Sequence, residues 1–68
     1  MQSVRICLTA VRANAKMNQQ EWADAIGVDK STVFNWETGK TEPSYSQVRK
    51  MSELSGIPID FIFVQQQS

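Results

Sequence analysis

The sequence has no histidine, a single cysteine and no net charge, and each absence removes a class of chemistry. Without histidine there is no Ser-His or Cys-His nucleophile pair, no imidazole proton relay and no His-ligated zinc. A lone Cys7 cannot close an internal disulfide, so nothing suggests a stapled, secreted scaffold. The longest uninterrupted apolar run is Phe61-Ile62-Phe63-Val64, far short of the ~20 residues that a membrane-spanning helix needs. The first residues lack the long apolar stretch of a signal peptide, so the chain is expected to be cytoplasmic. No catalytic residue, metal site or cofactor site is expected.

Repeats, linkers and low-complexity tracts are also missing, apart from a polar tail at residues 65–68. What remains is a chain of 68 residues, 41% of them apolar, read as one domain over residues 1–64. A chain this short buries only about 60% of its unfolded surface, so its stability should be marginal unless a partner subunit contributes. Seven Lys and Arg balance seven Asp and Glu. That balance argues mildly against nucleic-acid binding, although the distribution of charge over faces decides, not the sum.

Four segments carry helical apolar spacing. Val4, Leu8 and Val11 fall at i, i+4 and i+7 after a candidate Ser3 cap, with Cys7 on the same apolar face as a small core residue. The second helix, over about residues 18–26, opens on Asn18 with Glu21 at the capping-box position and Met17 and Trp22 in the staple positions. It should stop at Gly27. Asp29 is the next expected cap, and the third helix covers about residues 30–37 before Gly39. Ser44 and Gln47 form another capping box, and the fourth helix continues through Met51 and Leu54 to Gly56. Pro58 can open a short fifth helix from Ile59 to Val64. That segment is also rich in β-branched and aromatic residues, so an extended strand is the alternative. The expectation is an all-α chain.

Only Gly27-Val28-Asp29 separates the second helix from the third, and so short a link makes the two cross steeply, as in a helix-turn-helix. Trp22, Ile26, Val28, Val33 and Trp36 form the inner face, with small Ala23 at the closest approach. Lys30, Ser31, Thr32 and Asn35 are left on the outer side of the third helix. Phe34 also points outward by spacing, either towards a thymine methyl or against the fourth helix.

With these residues in place, the sequence resembles the Cro and phage-repressor family of helix-turn-helix proteins, also called Xre-like. The likeness rests on Met17-Asn18-Gln19-Gln20-Glu21-Trp22-Ala23, Ile26-Gly27-Val28, Val33, Trp36-Glu37-Thr38-Gly39-Lys40 and Pro43. It extends to Arg12 and to Gly56-Ile57-Pro58-Ile59-Asp60, covering about residues 4 to 62. The resemblance implies a compact five-helix bundle of the lambda-repressor-like type. It further implies a sequence-specific transcriptional regulator that binds double-stranded DNA, as a dimer on a pseudo-palindromic operator. The third helix would lie in the major groove, with Lys30, Ser31 and Asn35 at the positions that meet base edges. Lys30 can donate to guanine O6 and N7, and Asn35 can bond adenine N6 and N7. Gln19 corresponds to a phosphate-binding glutamine at a helix start. Lys40, Thr41 and the Ser44 backbone amide would touch phosphates on the far side. Arg12 and Glu37 correspond to a structural ion pair, whereas Trp22 and Trp36 belong to the core.

Three acids near the presumed DNA face depart from the pattern: Asp24, Asp29 and Glu42. Between residues 12 and 44 there are four positive charges, Arg12, Lys16, Lys30 and Lys40, against five negative ones, Glu21, Asp24, Asp29, Glu37 and Glu42. A second reading is therefore a protein-interaction module on the same fold, antirepressor or antitoxin-like, that binds another phage regulator. At the C-terminus, Ile57, Ile59 and Ile62 are expected in the core. Phe61, Phe63 and Val64 are then left facing outward as a homodimer interface.

Overall fold

Short signals at the helix ends set where most elements begin. A computed structural model describes residues 6–63, without the side chain of Phe63. The order is β1 (Ile6–Cys7), α1 (Leu8–Asn14), α2 (Gln19–Ile26), α3 (Lys30–Thr38), α4 (Tyr45–Ser55), a 3-10 turn (Ile59–Phe61) and β2 (Ile62–Phe63). Both expected capping boxes are present. Asn18 accepts from the Glu21 amide at 2.8 Å while Glu21 accepts from the Asn18 amide at 2.9 Å. Ser44 and Gln47 make the same reciprocal pair at 3.3 and 2.7 Å.

Among the described residues four α-helices form, not five. After Gly56 the chain is extended at Pro58 and closes one turn, in which the Phe61 N–H donates to the Pro58 carbonyl at 2.9 Å. Ile62 and Phe63 then pair in parallel with Ile6 and Cys7. The extended alternative thus holds for Ile62–Phe63, since β-branched and aromatic residues suit a pleated surface; Val64 lies outside the described residues. The same pairing corrects the first helix, which begins only at Leu8. Ser3 and Val4 lie outside the described residues.

Cys7 also differs from expectation: it is exposed, not in the core. Successive side chains of a strand point to opposite faces, so Ile6, against the core, leaves its neighbour outside. Another correction concerns Asp29. It occupies the cap position of α3 with extended backbone, but its side chain makes no capping hydrogen bond.

The core joins α1, α2, α3 and α4 through Val11, Trp22, Val33 and Met51, each with at most 1% of its surface exposed. Ala23 and Trp36 are buried with them, and Ile57 closes the lower end. α3 packs chiefly on α2 and also on α1, while α1 is the main neighbour of α4. Asn14 adds a polar tie, donating from Nδ2 to the Ser55 carbonyl at 2.8 Å. Lys16 turns the chain between α1 and α2 with φ of 61°, a left-handed conformation uncommon for a side-chain-bearing residue.

The two caps should differ in stability experiments. Asn18→Ala removes a made capping bond and is expected to cost about 1 kcal/mol. Asp29→Ala removes none and should cost less than half of that. Chemical denaturation midpoints of the two variants measure the difference, and equal losses would contradict the cap geometry.

Candidate nucleic-acid interface

The turn between α2 and α3 comes from one residue that tolerates a left-handed backbone. Gly27 has φ of 93°, and its N–H and that of Val28 both donate to the Ala23 carbonyl, at 2.8 and 2.9 Å. Such a C-cap ends α2 abruptly. Three residues later α3 begins, and its Val33 and Trp36 turn inward onto α2 and α1. Burial of that stripe leaves Lys30, Ser31 and Phe34 exposed on the opposite side, with Asn35 half-buried beside them. Among the described residues the Asn35 side chain makes no hydrogen bond, so its amide is available to an outside partner. Its carbonyl is engaged, accepting from the Lys40 and Thr41 amides at 2.9 and 3.3 Å.

One carboxylate fixes how this unit sits on the rest of the domain. Arg12 Nε donates to Glu37 Oε2 at 2.8 Å and its Nη2 to Oε1 at 3.2 Å, a two-point guanidinium–carboxylate contact. Arg12 Nη1 donates further to the Met17 carbonyl at 3.0 Å. Gln19 Nε2 donates to Glu37 Oε1 at 3.0 Å. The Glu37 side chain is only 7% exposed, so burial is matched by three donors. α1, the turn before α2, the first residue of α2 and the last turn of α3 are thereby held at one point.

The Gln19–Glu37 bond has no counterpart in the sequence reading. The residues are 18 positions apart, and only the fold brings the start of α2 beside the end of α3. Gln19 is therefore tethered through one amide proton, with the second left over. Ser44 is a further difference. Its backbone N–H, expected to face a phosphate, is taken by Gln47 Oε1 at 2.7 Å. The first-turn amides of Tyr45 and Ser46, which have no intrahelical partner, remain, beside an exposed Ser44 hydroxyl that accepts from the Gln47 amide and lies 3.1 Å from the Ser46 hydroxyl. Lys40 and Thr41 are exposed in the loop between α3 and α4, next to the exposed Glu42. Among the described residues no group of acids or Cys has the grouping of a metal site. No helix of the described residues is long and apolar enough to cross a membrane.

Two helices joined through a left-handed glycine, with the second presenting a polar face outward, define a helix-turn-helix domain. The chain belongs to the Cro and phage-repressor, or Xre-like, helix-turn-helix family: the family model described as helix-turn-helix matches residues 8–62. Among curated proteins it is similar to the cryptic phage CTXphi transcriptional repressor RstR of Vibrio cholerae, with 37% identity over 72% of this chain and 44% of that protein. It is 31% identical to the SPbeta prophage-derived uncharacterized HTH-type transcriptional regulator YonR of Bacillus subtilis, over 81% of this chain and 51% of the other. A third relative is the uncharacterized HTH-type transcriptional regulator MJ0272 of Methanocaldococcus jannaschii, 32% identical over 78% of this chain and 80% of its own. The chain thus spans about half the length of the first two. No solved structure matches it significantly.

The Glu37 junction makes a direct prediction for stability. Glu37→Ala strands the Arg12 guanidinium and unties Gln19, and is expected to lower unfolding free energy by about 3 kcal/mol. Glu53→Ala breaks only an exposed pair with Arg49 at 3.8 Å and should change little. Thermal melts of both variants read the contrast; an unchanged melt for Glu37→Ala would contradict the assignment.

Proposed function

We propose that this chain is a sequence-specific transcriptional regulator that binds double-stranded DNA through α3. The observation that carries the reading is the outer face of α3, where Lys30, Ser31 and Asn35 stand clear of the core on a helix anchored by Trp36 and Glu37. These are donors and acceptors that fit major-groove edges: Lys30 for guanine, Asn35 for adenine, Ser31 for either. A family of regulators that includes a named phage repressor supports the same reading.

The phosphate contacts follow from the ends of the unit. Gln19 at the start of α2 offers its free amide proton beside that helix's positive end, with its orientation set by Glu37. On the far side, Lys40, Thr41 and the Ser44 hydroxyl flank the start of α4. The regulator acts by occupancy as a homodimer on a pseudo-palindromic operator. Phe61, 42% exposed at the tip of the 3-10 turn, supports self-association, together with the outer edge of β2, which has only β1 beside it among the described residues. Phe63 and Val64 are assigned to the same interface; the Phe63 side chain and Val64 lie outside the described residues. A two-fold dimer sets its recognition helices about 34 Å apart, one turn of DNA.

Anisotropy titrations against duplexes enriched from a randomised pool test this. The parent is expected to bind two chains per pseudo-palindrome. Asn35→Ala should lose about 1–3 kcal/mol on that duplex and relax preference at one base pair, while binding random DNA as the parent does. Failure to enrich any sequence would favour a protein partner, another phage regulator, on the same fold.

A further inference from the structure

Phe34 is the one apolar residue among the described positions of the exposed face of α3, and no packing among the described residues accounts for it. It is 48% exposed and is absent from the apolar side chains that pack on the core. Helix α3 lies mainly against α2 and also against α1, with α4 at most a minor neighbour. At roughly 100° per residue, with Val33 and Trp36 pointing inward, Ser31 and Thr38 point most directly outward. Phe34 and Asn35 then project about 50° to either side of that direction. The ring is one turn from Lys30 and shares its edge of the helix.

Resting on the reading of α3 as a major-groove helix, we propose that Phe34 is a specificity residue that recognises a thymine through its C5 methyl group. The edges of the four base pairs in the major groove carry hydrogen-bonding atoms throughout, and the thymine methyl is their one large apolar feature. An aromatic ring there has no polar edge it can satisfy, and over guanine, cytosine or adenine it would strip water from groups without replacing the lost bonds. Over thymine it covers a methyl group and loses its own exposure to water. Lys30 and Asn35, beside it on the same face, supply the hydrogen bonds to neighbouring pairs. Phe34 therefore adds a preference that neither polar residue encodes: thymine over deoxyuridine, which differ only by that methyl.

The test uses the full chain and the duplex enriched from a randomised pool, with each thymine in turn replaced by deoxyuridine. One thymine per half-site is expected to be methyl-sensitive, with affinity falling about fourfold per half-site, the size set by burying one methyl-sized group. Phe34→Ala should bind the parent duplex less tightly and show no difference between thymine and deoxyuridine at that position. Phe34→Leu, apolar but smaller, should keep part of the difference. Both variants should melt with the parent, because the ring is outside the core. If the parent binds the selected duplex yet every deoxyuridine replacement is neutral, the thymine assignment is wrong while DNA recognition by α3 stands. If methyl sensitivity persists in Phe34→Ala, another residue reads the methyl. If no sequence is enriched, both readings fail together.

Discussion

The arrangement of the domain depends on the carboxylate of Glu37. A buried charge of this kind is tolerated only when its lone pairs are occupied, and here Arg12 and Gln19 occupy them from two different helices. The consequence is geometric. Hydrophobic burial alone holds α3 against α2 through Val33 and Trp36, but apolar contacts are non-directional. The two-point contact to Arg12 adds direction, fixing how far α3 is rotated and where α2 begins. A helix that reads base edges needs that precision, since its polar side chains must meet fixed atoms in the groove.

The same junction bears on the charge available at the surface of a chain with zero net charge. Arg12 and Glu37 cancel one another inside the domain, and Arg49 and Glu53 face each other along α4. Lys30 and Lys40 are left near Asp29 and Glu42 on the outer side. On the proposed reading, attraction from bulk charge is weak, and discrimination would fall to hydrogen bonds and to the ring of Phe34. On that reading such a surface would hold random DNA poorly, favouring selectivity at the expense of raw affinity.

Much of the core of this arrangement could be read directly from residue types. Asn18 with Glu21 and Ser44 with Gln47 marked two helix starts because a capping box needs only local spacing. Gly27 and Gly39 marked two helix ends for the same reason. Apart from the Asp29 cap, whose side chain makes no bond, the readings that failed required contacts between distant parts of the chain. Ile6–Cys7 reads as part of a helix until Ile62–Phe63 is placed beside it, and Cys7 then turns outward by strand alternation. The C-terminal segment carried both helical and strand signals, and only its pairing with β1 decides between them. On α3, an outer side of Lys30, Ser31, Thr32 and Asn35 followed from which residues had to be buried, although Thr32 is half-buried; the base-contact role of Lys30, Ser31 and Asn35 came from the family resemblance alone. The Gln19–Glu37 bond depends on the fold bringing distant residues together, whereas the occupied Ser44 amide is the second half of the Ser44–Gln47 capping box itself.

On the proposed reading, one continuous face, running from the start of α2 across α3 to the start of α4, meets DNA. Amide chemical shifts of the isotope-labelled chain, followed as the enriched duplex is added, test it most directly. The account predicts that the large changes cluster at Gln19, at Lys30 to Asn35 and at Lys40 to Ser46, with α1 little affected beyond Arg12. Changes confined to the 3-10 turn and β2, with α3 silent, would contradict it.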